Sequence, residues 1–288
     1  MGWIRYDNAD IYYEVHGKGA PLLYLHGWNG SMAGFKANVL PTLRTGRQVI
    51  LLDLPGCGRS GYTDISFEGM SGLLRDLLLG LGVDSVSGAG FCLGGAFVLD
   101  FALRYPQMVD AVYLIETAIG FPVFLHPLLV PGVGRNLLHY GLHSRVGVWL
   151  AFAYLLRRGF AYREEFLAGF AANDADISRR YIRLVRDYSR VDHFRRVREQ
   201  LECPLIIVNG EKSPYYVRAS TRKLLEAART AQRYVLHGAR HFVVEERPDL
   251  LAGVLVGQRP ELPVRADASL ARPIFPPCPT TISTRADG

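Results

Sequence analysis

Gly90-Phe91-Cys92-Leu93-Gly94-Gly95 is the stretch that decides the fold of this 288-residue chain. It follows a strand-like segment at residues 83–90 and precedes AFVLDFALRYP, which reads as a helix. A reactive residue between glycines at a strand-to-helix junction is typical of a nucleophile elbow, a turn too sharp for neighbouring side chains. The pattern therefore predicts that Cys92 is a nucleophile and not a buried structural cysteine. The positive end of the helix dipole favours its thiolate.

Short apolar segments alternate with amphipathic ones on both sides of this turn. Strands are predicted at residues 11–15, 21–26, 48–54, 83–90, 111–115, 204–208 and 233–236, and helices at 31–44, 66–81, 93–104 and 217–229. Continuous apolar strands separated by helices are typical of a parallel sheet covered on both faces. The sequence therefore predicts an α/β fold.

The alternation is interrupted by a long helical and aromatic segment between two of the predicted strands. We interpret residues 117–202 as a helical cap inserted into a core made of residues 1–116 and 203–256. From residue 257 to residue 288 the chain is rich in proline and has no apolar periodicity. This last segment is predicted to be a disordered tail.

Composition argues against several classes of protein. With 49% hydrophobic residues the chain can build a sizeable core, but no apolar stretch reaches the roughly 20 residues needed to span a membrane. The N-terminus lacks the basic and apolar regions expected of a secretory signal. Its four cysteines are scattered without metal-binding spacing, so we expect free thiols, a cytoplasmic location and no metal or other cofactor. The net charge of +6 does not by itself indicate nucleic-acid binding.

Three further motifs accompany the elbow in a fixed order. Leu25-His26-Gly27-Trp28 and Asp53-Leu54-Pro55-Gly56-Cys57-Gly58-Arg59-Ser60 each follow a predicted strand, and Gly238-Ala239-Arg240-His241-Phe242 comes before Glu246-Arg247-Pro248. Over residues 1 to about 256, this arrangement resembles the α/β-hydrolase family. The resemblance implies an α/β-hydrolase fold, in which a mostly parallel sheet is flanked by helices.

The resemblance also implies individual roles. The backbone N–H groups of Trp28 and Leu93 would form an oxyanion hole, which binds negative charge that develops in the transition state. His241 matches the general base, whereas His26 matches a residue that shapes its loop. The cysteine elbow is similar to that of dienelactone hydrolases and polyhydroxyalkanoate synthases, but neither likeness extends beyond the elbow and the common fold.

The acid of the catalytic triad departs from the family pattern. Ser213 stands where the family usually has an aspartate after the strand at 204–208. The strand that ends at Glu116 resembles that of a subset of haloalkane dehalogenases, which place a catalytic glutamate there. Since a buried carboxylate needs a partner, we predict that Glu116 is the acid, with Glu211 as the alternative.

A cysteine nucleophile favours acyl chemistry over dehalogenation. Alkylation of Cys92 would give a thioether that water does not cleave, whereas a thioester is attacked by water, alcohols or amines. The sequence therefore predicts cleavage or transfer of an acyl group from an ester, lactone or thioester. The alternatives are a lyase or cyclase of a biosynthetic pathway and a non-catalytic binding protein. Aromatic residues of the cap favour a mainly apolar substrate: Phe121, Phe124, Trp149, Phe152, Tyr154, Phe160 and Phe166.

Residues 179–198 are unusually basic. They contain eight arginines, at positions 179, 180, 183, 186, 190, 195, 196 and 198. The spacing is typical of a solvated helical face, and docking of an acidic carrier protein or a phosphorylated thioester is the alternative.

Overall fold

The structure is a computed structural model that describes residues 1–144, 146, 169 and 171–257. Within them, one sheet contains eight strands. The strands are β1 (Gly2–Tyr6), β2 (Ala9–His16), β3 (Ala20–Leu25), β4 (Arg47–Leu52), β5 (Val86–Phe91), β6 (Val109–Ile115), β7 (Leu205–Gly210) and β8 (Ala231–Leu236).

The spatial order of the strands is β1-β2-β4-β3-β5-β6-β7-β8. Strand β2 is antiparallel to both of its neighbours, and the remaining neighbours pair in parallel. The carboxyl ends of β3 to β8 therefore meet at one edge of the sheet. This architecture confirms the predicted mostly parallel α/β sheet.

Helices cover both faces of this sheet. One face packs against α3 (Phe67–Gly80), α4 (Leu93–Arg104) and α8 (Tyr215–Ala227). The other packs against α1 (Ala33–Asn38), α2 (Leu40–Leu43), α9 (Val243–Glu246) and α10 (Pro248–Leu255). Fully buried side chains such as Phe97 and Leu251 fill the two layers, and each contributes roughly 1.5–3 kcal/mol by leaving water.

Two local features differ from the sequence prediction. Strand β1 has no counterpart among the predicted strands, because at the sheet edge its residues alternate between half-buried and exposed and form no continuous apolar run. The predicted helix at 31–44 is instead the two short helices α1 and α2. Pro41 lies in the first turn of α2, where its missing N–H costs no helical hydrogen bond.

The chain leaves the sheet between β6 and β7. The described part of this insertion contains a 3-10 helix (Val123–Leu129), α5 (Val133–His143), α6 (Ala175–Tyr188) and α7 (His193–Gln200). Helix α5 packs against α6 and the 3-10 helix, whereas α7 packs against the core helices α8 and α4. The limits of the cap at residues 117 and 202 remain a prediction. Five of the predicted cap aromatics (Trp149, Phe152, Tyr154, Phe160 and Phe166) and the predicted tail after Gly257 lie outside the described residues.

A search of the described residues finds no helix long and apolar enough to cross a membrane.

Candidate active site

Cys92 lies at the sharp turn between β5 and α4. Its φ is 51° and its ψ is −112°, a backbone conformation that costs a residue with a Cβ about 1–3 kcal/mol. The flanking glycines make the turn possible, since a Cβ on Gly94 would lie 2.3 Å from the carbonyl oxygen of Leu25. The N–H of Cys92 donates to the carbonyl oxygen of Ile115 at 2.8 Å. The elbow is therefore fixed to the strands on both sides.

The other described cysteines lie in different surroundings. Burial raises the pKa of Cys57 to about 12 and that of Cys203 to about 11, so both thiols stay protonated at neutral pH. Neither of them borders the large cavity that Cys92 lines. Cys92 is thus the described cysteine placed for chemistry on a ligand.

His241 follows β8 and connects Cys92 to Glu116. Its Nδ1 lies 3.0 Å from Oε2 of Glu116, and its ring lines the same cavity as Cys92. Because a carboxylate can only accept, Nδ1 carries a proton and Nε2 is left to face the thiol. Burial opposes a charged imidazole, but the neighbouring side chains of Cys92 and Glu116 raise the pKa of His241 to about 10. These surroundings favour the imidazolium form of His241.

Glu116 is fully buried at the end of β6, with a φ of 50°. Its Oε1 accepts hydrogen bonds from the N–H of Gly210, at 2.7 Å, and from the hydroxyl of Ser213. Its Oε2 faces His241. Ser213, at the usual position of the acid, therefore supports the carboxylate of Glu116. The structure brings the three predicted triad residues together, since His241 hydrogen-bonds Glu116 and lines one cavity with Cys92.

Glu211, the alternative acid, lies elsewhere. Its side chain is 45% exposed, and Oε2 is 3.8 Å from Nδ1 of His237. The same oxygen accepts a hydrogen bond from the N–H of Gly238 at 2.8 Å. The carboxylate of Glu211 thus stabilises the turn after β8, and it is Glu116 that contacts His241.

Trp28 and Leu93, whose N–H groups are the predicted oxyanion hole, lie next to Cys92. Leu93 is the first residue of α4, so its N–H has no acceptor within the helix. The loop that carries Trp28 passes close to the elbow, since a Cβ on Gly27 would lie 3.1 Å from the Cβ of Cys92. Both backbone positions therefore border the space in front of the thiol.

Two buried side chains hold this loop. His26 donates from Nδ1 to the carbonyl oxygen of Gly27 at 2.8 Å, and its Nε2 accepts from the N–H of Leu54 at 2.9 Å. Burial lowers the pKa of His26, which fits this neutral form. Asp53 accepts from the N–H groups of Met32, at 2.8 Å, and Arg59, at 2.9 Å. Sequence reasoning assigned no role to Asp53, although a carboxylate directly after a buried strand was the available signal.

A cavity of about 1090 Å³ lies over Cys92. Its lining is mostly apolar and includes Phe91, Leu125, Leu138 and Ile182. Trp28 closes part of it against the cap, because its indole Nε1 donates to the carbonyl oxygen of Ser178 on α6 at 3.1 Å. The cavity is large enough for a drug-sized molecule.

Two polar groups of the cavity wall have no hydrogen-bonding partner among the described residues. They are Nδ2 of Asn29 and Oε2 of Glu245. Burial, with the charge of Glu246, raises the pKa of Glu245 to about 8. Sequence reasoning missed both residues, because neither belongs to a motif that separates it from an ordinary loop or helix residue.

The arginines of residues 179–198 are largely engaged within the protein. Arg179 donates to the carbonyl oxygens of Leu128 and Leu129. Arg180 pairs with Asp64 at 2.7 Å, and Arg196 lies 3.0 Å from the buried Asp100. These contacts fit a solvated helical face, and docking of an acidic carrier stays a prediction. Among the described residues, no cluster of three or more His, Cys, Asp and Glu side chains could hold a metal ion.

The sequence of this chain is similar to those of known proteins. Residues 20–248 match the model of the alpha/beta hydrolase fold family. The uncharacterized hydrolase YugF of Bacillus subtilis is 24% identical over 256 residues, or 85% of this chain and 93% of YugF. A pimeloyl-[acyl-carrier protein] methyl ester esterase of Legionella pneumophila is 32% identical over 127 residues, which cover 44% of this chain and only 49% of the esterase.

Solved structures share the fold at low sequence identity. The enol-lactonase of Burkholderia xenovorans superposes with a TM-score of 0.73 at 16% sequence identity, over 89% of this chain and 98% of the lactonase. At this identity the likeness concerns the fold alone.

Proposed function

This chain belongs to the α/β-hydrolase fold family, and from that premise we propose that it is a cysteine-dependent acyl hydrolase or transferase. Its substrate would be an ester, a lactone or a thioester. The observation that carries the proposal is the hydrogen bond between His241 and Glu116 beside Cys92, beneath a mostly apolar cavity. The similarity to a pimeloyl-[acyl-carrier protein] methyl ester esterase supports the reaction class.

Acylation begins from a thiolate beside an imidazolium. The sulfur of Cys92 attacks the carbonyl carbon of the substrate, and the carbonyl π electrons move to oxygen. The N–H groups of Trp28 and Leu93 hold the resulting oxyanion. When the tetrahedral intermediate collapses, the bond to the leaving group breaks and His241 gives that group its proton. A thioester on Cys92 remains.

Deacylation reverses these roles. Neutral His241 removes a proton from water, and the resulting hydroxide attacks the thioester carbonyl. Collapse of the second intermediate releases a carboxylic acid and returns the proton to the Cys92–His241 pair. With an alcohol or amine in place of water, the same step transfers the acyl group. Glu116 keeps Nδ1 protonated and stabilises the imidazolium in both steps.

The test is to trap the covalent intermediate. Incubation of the full chain with a panel of aryl esters and acyl thioesters, followed by intact-mass measurement, should show one acyl group added. Peptide mapping should place that acyl group on Cys92.

Two matched variants complete the experiment. Cys92→Ala should abolish turnover and the adduct, while Cys92→Ser should keep a low rate because the elbow suits either nucleophile. A Cys92→Ala protein with near-normal rates would exclude covalent catalysis. Product analysis separates the lyase alternative, since only hydrolysis adds water across the cleaved bond.

A further inference from the structure

Glu245 places a carboxyl oxygen in the cavity wall without a partner. The residue lies on α9, four positions after His241, and its Oε2 is buried and hydrogen-bonds nothing among the described residues. An unsatisfied buried polar atom costs about 1–3 kcal/mol. In a cavity wall, such an atom has an obvious candidate partner in the ligand that fills the cavity.

The fold makes room for this carboxyl group. Helix α1 packs against α9, and a Cβ on Gly34 of α1 would lie 2.7 Å from Oε1 of Glu245. Gly34, Phe35 and Asn38 of α1 line the same cavity as Glu245. The carboxyl group is therefore located at the α1 side of the cavity, where any larger residue at position 34 would displace it.

The charges around Glu245 determine whether its carboxyl group is protonated when a ligand binds. Burial is the largest influence and, with the negative charge of Glu246, raises the pKa of Glu245 to about 8, while a hydrogen bond from its own backbone N–H and the charge of His241 oppose this rise. Tyr24 of β3 also interacts electrostatically with Glu245. Lys36 of α1 is engaged elsewhere, 2.7 Å from Glu14. At neutral pH Glu245 is therefore mostly protonated and offers an O–H donor.

Asn29 provides, among the described residues of the cavity lining, a second hydrogen-bond donor without a partner. Asn29 is 3% exposed, and its Nδ2 has no partner among the described residues, while its Oδ1 accepts from the hydroxyl of Ser178 at 2.7 Å. Both residues line the mostly apolar cavity and carry hydrogen-bond donors. A ligand complementary to them carries oxygen acceptors.

We infer that Glu245 recognises a carbonyl, ether or hydroxyl oxygen of the substrate, at a position separate from the carbonyl group that Cys92 attacks. The inference rests on the proposed acyl chemistry. It narrows the proposed substrates to esters, lactones or thioesters that carry a further oxygen atom outside the group that is cleaved.

The test compares matched substrates that differ by one oxygen. On the acyl side, p-nitrophenyl 4-oxopentanoate, 5-oxohexanoate and 6-oxoheptanoate are compared with the corresponding alkanoates. On the leaving-group side, S-(3-oxobutyl) hexanethioate is compared with S-butyl hexanethioate. The readout is the ratio of kcat/KM for each oxo substrate to that for its partner, at pH 6.5. At least one ratio should be about ten. Whether that ratio is found in the acyl-side pairs or in the leaving-group pair shows which side of the substrate contacts Glu245.

Variants of Glu245 then test whether this residue causes the preference for the oxo substrate. Glu245→Leu should reduce the ratio to about one, whereas Glu245→Gln, which keeps an N–H donor, should retain it. In wild type the ratio should fall as pH rises through about 8, because the ionised carboxyl group no longer donates. In Glu245→Gln the ratio should not depend on pH. The exposed Glu226 of α8 provides the control, since Glu226→Leu should leave the ratio unchanged.

Gly34→Ala gives an independent check if Glu245→Leu fails to fold. It displaces the carboxyl group without removing it, and it should also reduce the ratio. Ratios near one in every pair, or a preference that survives both Glu245→Leu and Gly34→Ala, would overturn the inference. If both members of each pair acylate Cys92 equally, only this inference fails. If none of them forms the adduct, the proposed function fails as well.

Discussion

Replacing Glu116 by glutamine tests the triad at its most unusual position. The change keeps the shape of the side chain and replaces one carboxylate oxygen by an NH2 group. The remaining oxygen would stay with its donors, the N–H of Gly210 and the hydroxyl of Ser213. The NH2 group would then face Nδ1 of His241, which must become an acceptor. The proton moves to Nε2, where it blocks proton transfer from the thiol.

The expected loss follows from the interaction removed. A hydrogen bond to a charged group contributes about 1.5–3 kcal/mol, which corresponds to a roughly tenfold to 150-fold fall in kcat. KM should change little, because Glu116 lies behind His241 and is fully buried. The negative charge that helps to raise the pKa of His241 to about 10 is also lost. The pKa of the imidazole should therefore fall towards its ordinary value.

The assay measures both effects. The ester that gives the largest adduct in the mass experiment provides kcat and KM, and the pH profile provides the alkaline limb. In wild type the rate should fall as pH rises through about 10, because deprotonated His241 cannot protonate the leaving group. In Glu116→Gln this limb should move to lower pH by about one to two units, as expected for the loss of 1.5–3 kcal/mol at 1.36 kcal/mol per pH unit.

Two controls accompany this variant. Glu211→Gln should have a small effect, since that side chain is partly exposed and bonded to the turn at Gly238. Ser213→Ala should also have a small effect, since Glu116 keeps the Gly210 donor. A Glu116→Gln protein with wild-type kcat and an unmoved alkaline limb would refute the reasoning and leave a catalytic dyad.

Three further predictions concern other parts of the molecule. If the arginine-rich residues 179–198 dock an acidic carrier, a variant in which Arg183, Arg186 and Arg190 are replaced by glutamate should show a raised KM for carrier-bound substrates. Its KM for small esters should not change. Equal effects on both types of substrate would indicate that these arginines form an ordinary solvated surface. Gly94→Ala should lower Tm by about 2–12 °C, because overpacking costs about 1–3 kcal/mol and each kcal/mol shifts Tm by about 2–4 °C in a domain of this size. Gly72→Ala, where an added Cβ meets nothing within 4 Å, should not lower Tm. Finally, the pKa of Glu245 is about 8 when folded and 4.5 ordinarily, so its contribution to stability is lost as pH rises through about 8. Glu245→Gln should therefore raise Tm relative to wild type at pH 9 more than at pH 5, by thermal unfolding; equal Tm differences at both pH values would contradict this.

Features with a local signal could be read from the sequence. The glycines around Cys92 predicted a turn that the structure contains, since only a small residue fits beside the carbonyl oxygen of Leu25. Glu116 was proposed because Ser213 leaves the usual acid position empty and because a carboxylate among apolar neighbours needs a partner. The structure supplies that partner in His241. Each inference depended on residues close in sequence or on a motif of known spacing.

Features that depend on tertiary contacts could not be read in this way. The environment of Glu245 is created by α1, and Gly34 lies more than two hundred positions away in the chain. Asn29 owes its orientation to a hydroxyl on α6. Strand β1 is stabilised by pairing with β2 and not by its own apolar pattern. For Glu245 and Asn29 the deciding neighbour is distant in sequence, and for β1 it is the next strand, β2. In each case the apolar periodicity of the segment itself does not reveal that neighbour.

The pairing of β6 with β7 has a consequence for how this enzyme could diversify. Val112 lies opposite Leu205, so two adjacent strands are joined by the whole cap. Loop-closure entropy grows only with the logarithm of loop length, and doubling the insertion would cost about 0.6 kcal/mol. Caps of very different size could therefore be exchanged at this point while the strands that carry Cys92 and Glu116 keep their register. Substrate range and chemistry are thus separable by recombination, and grafting a foreign cap between β6 and β7 offers a direct route to new specificities.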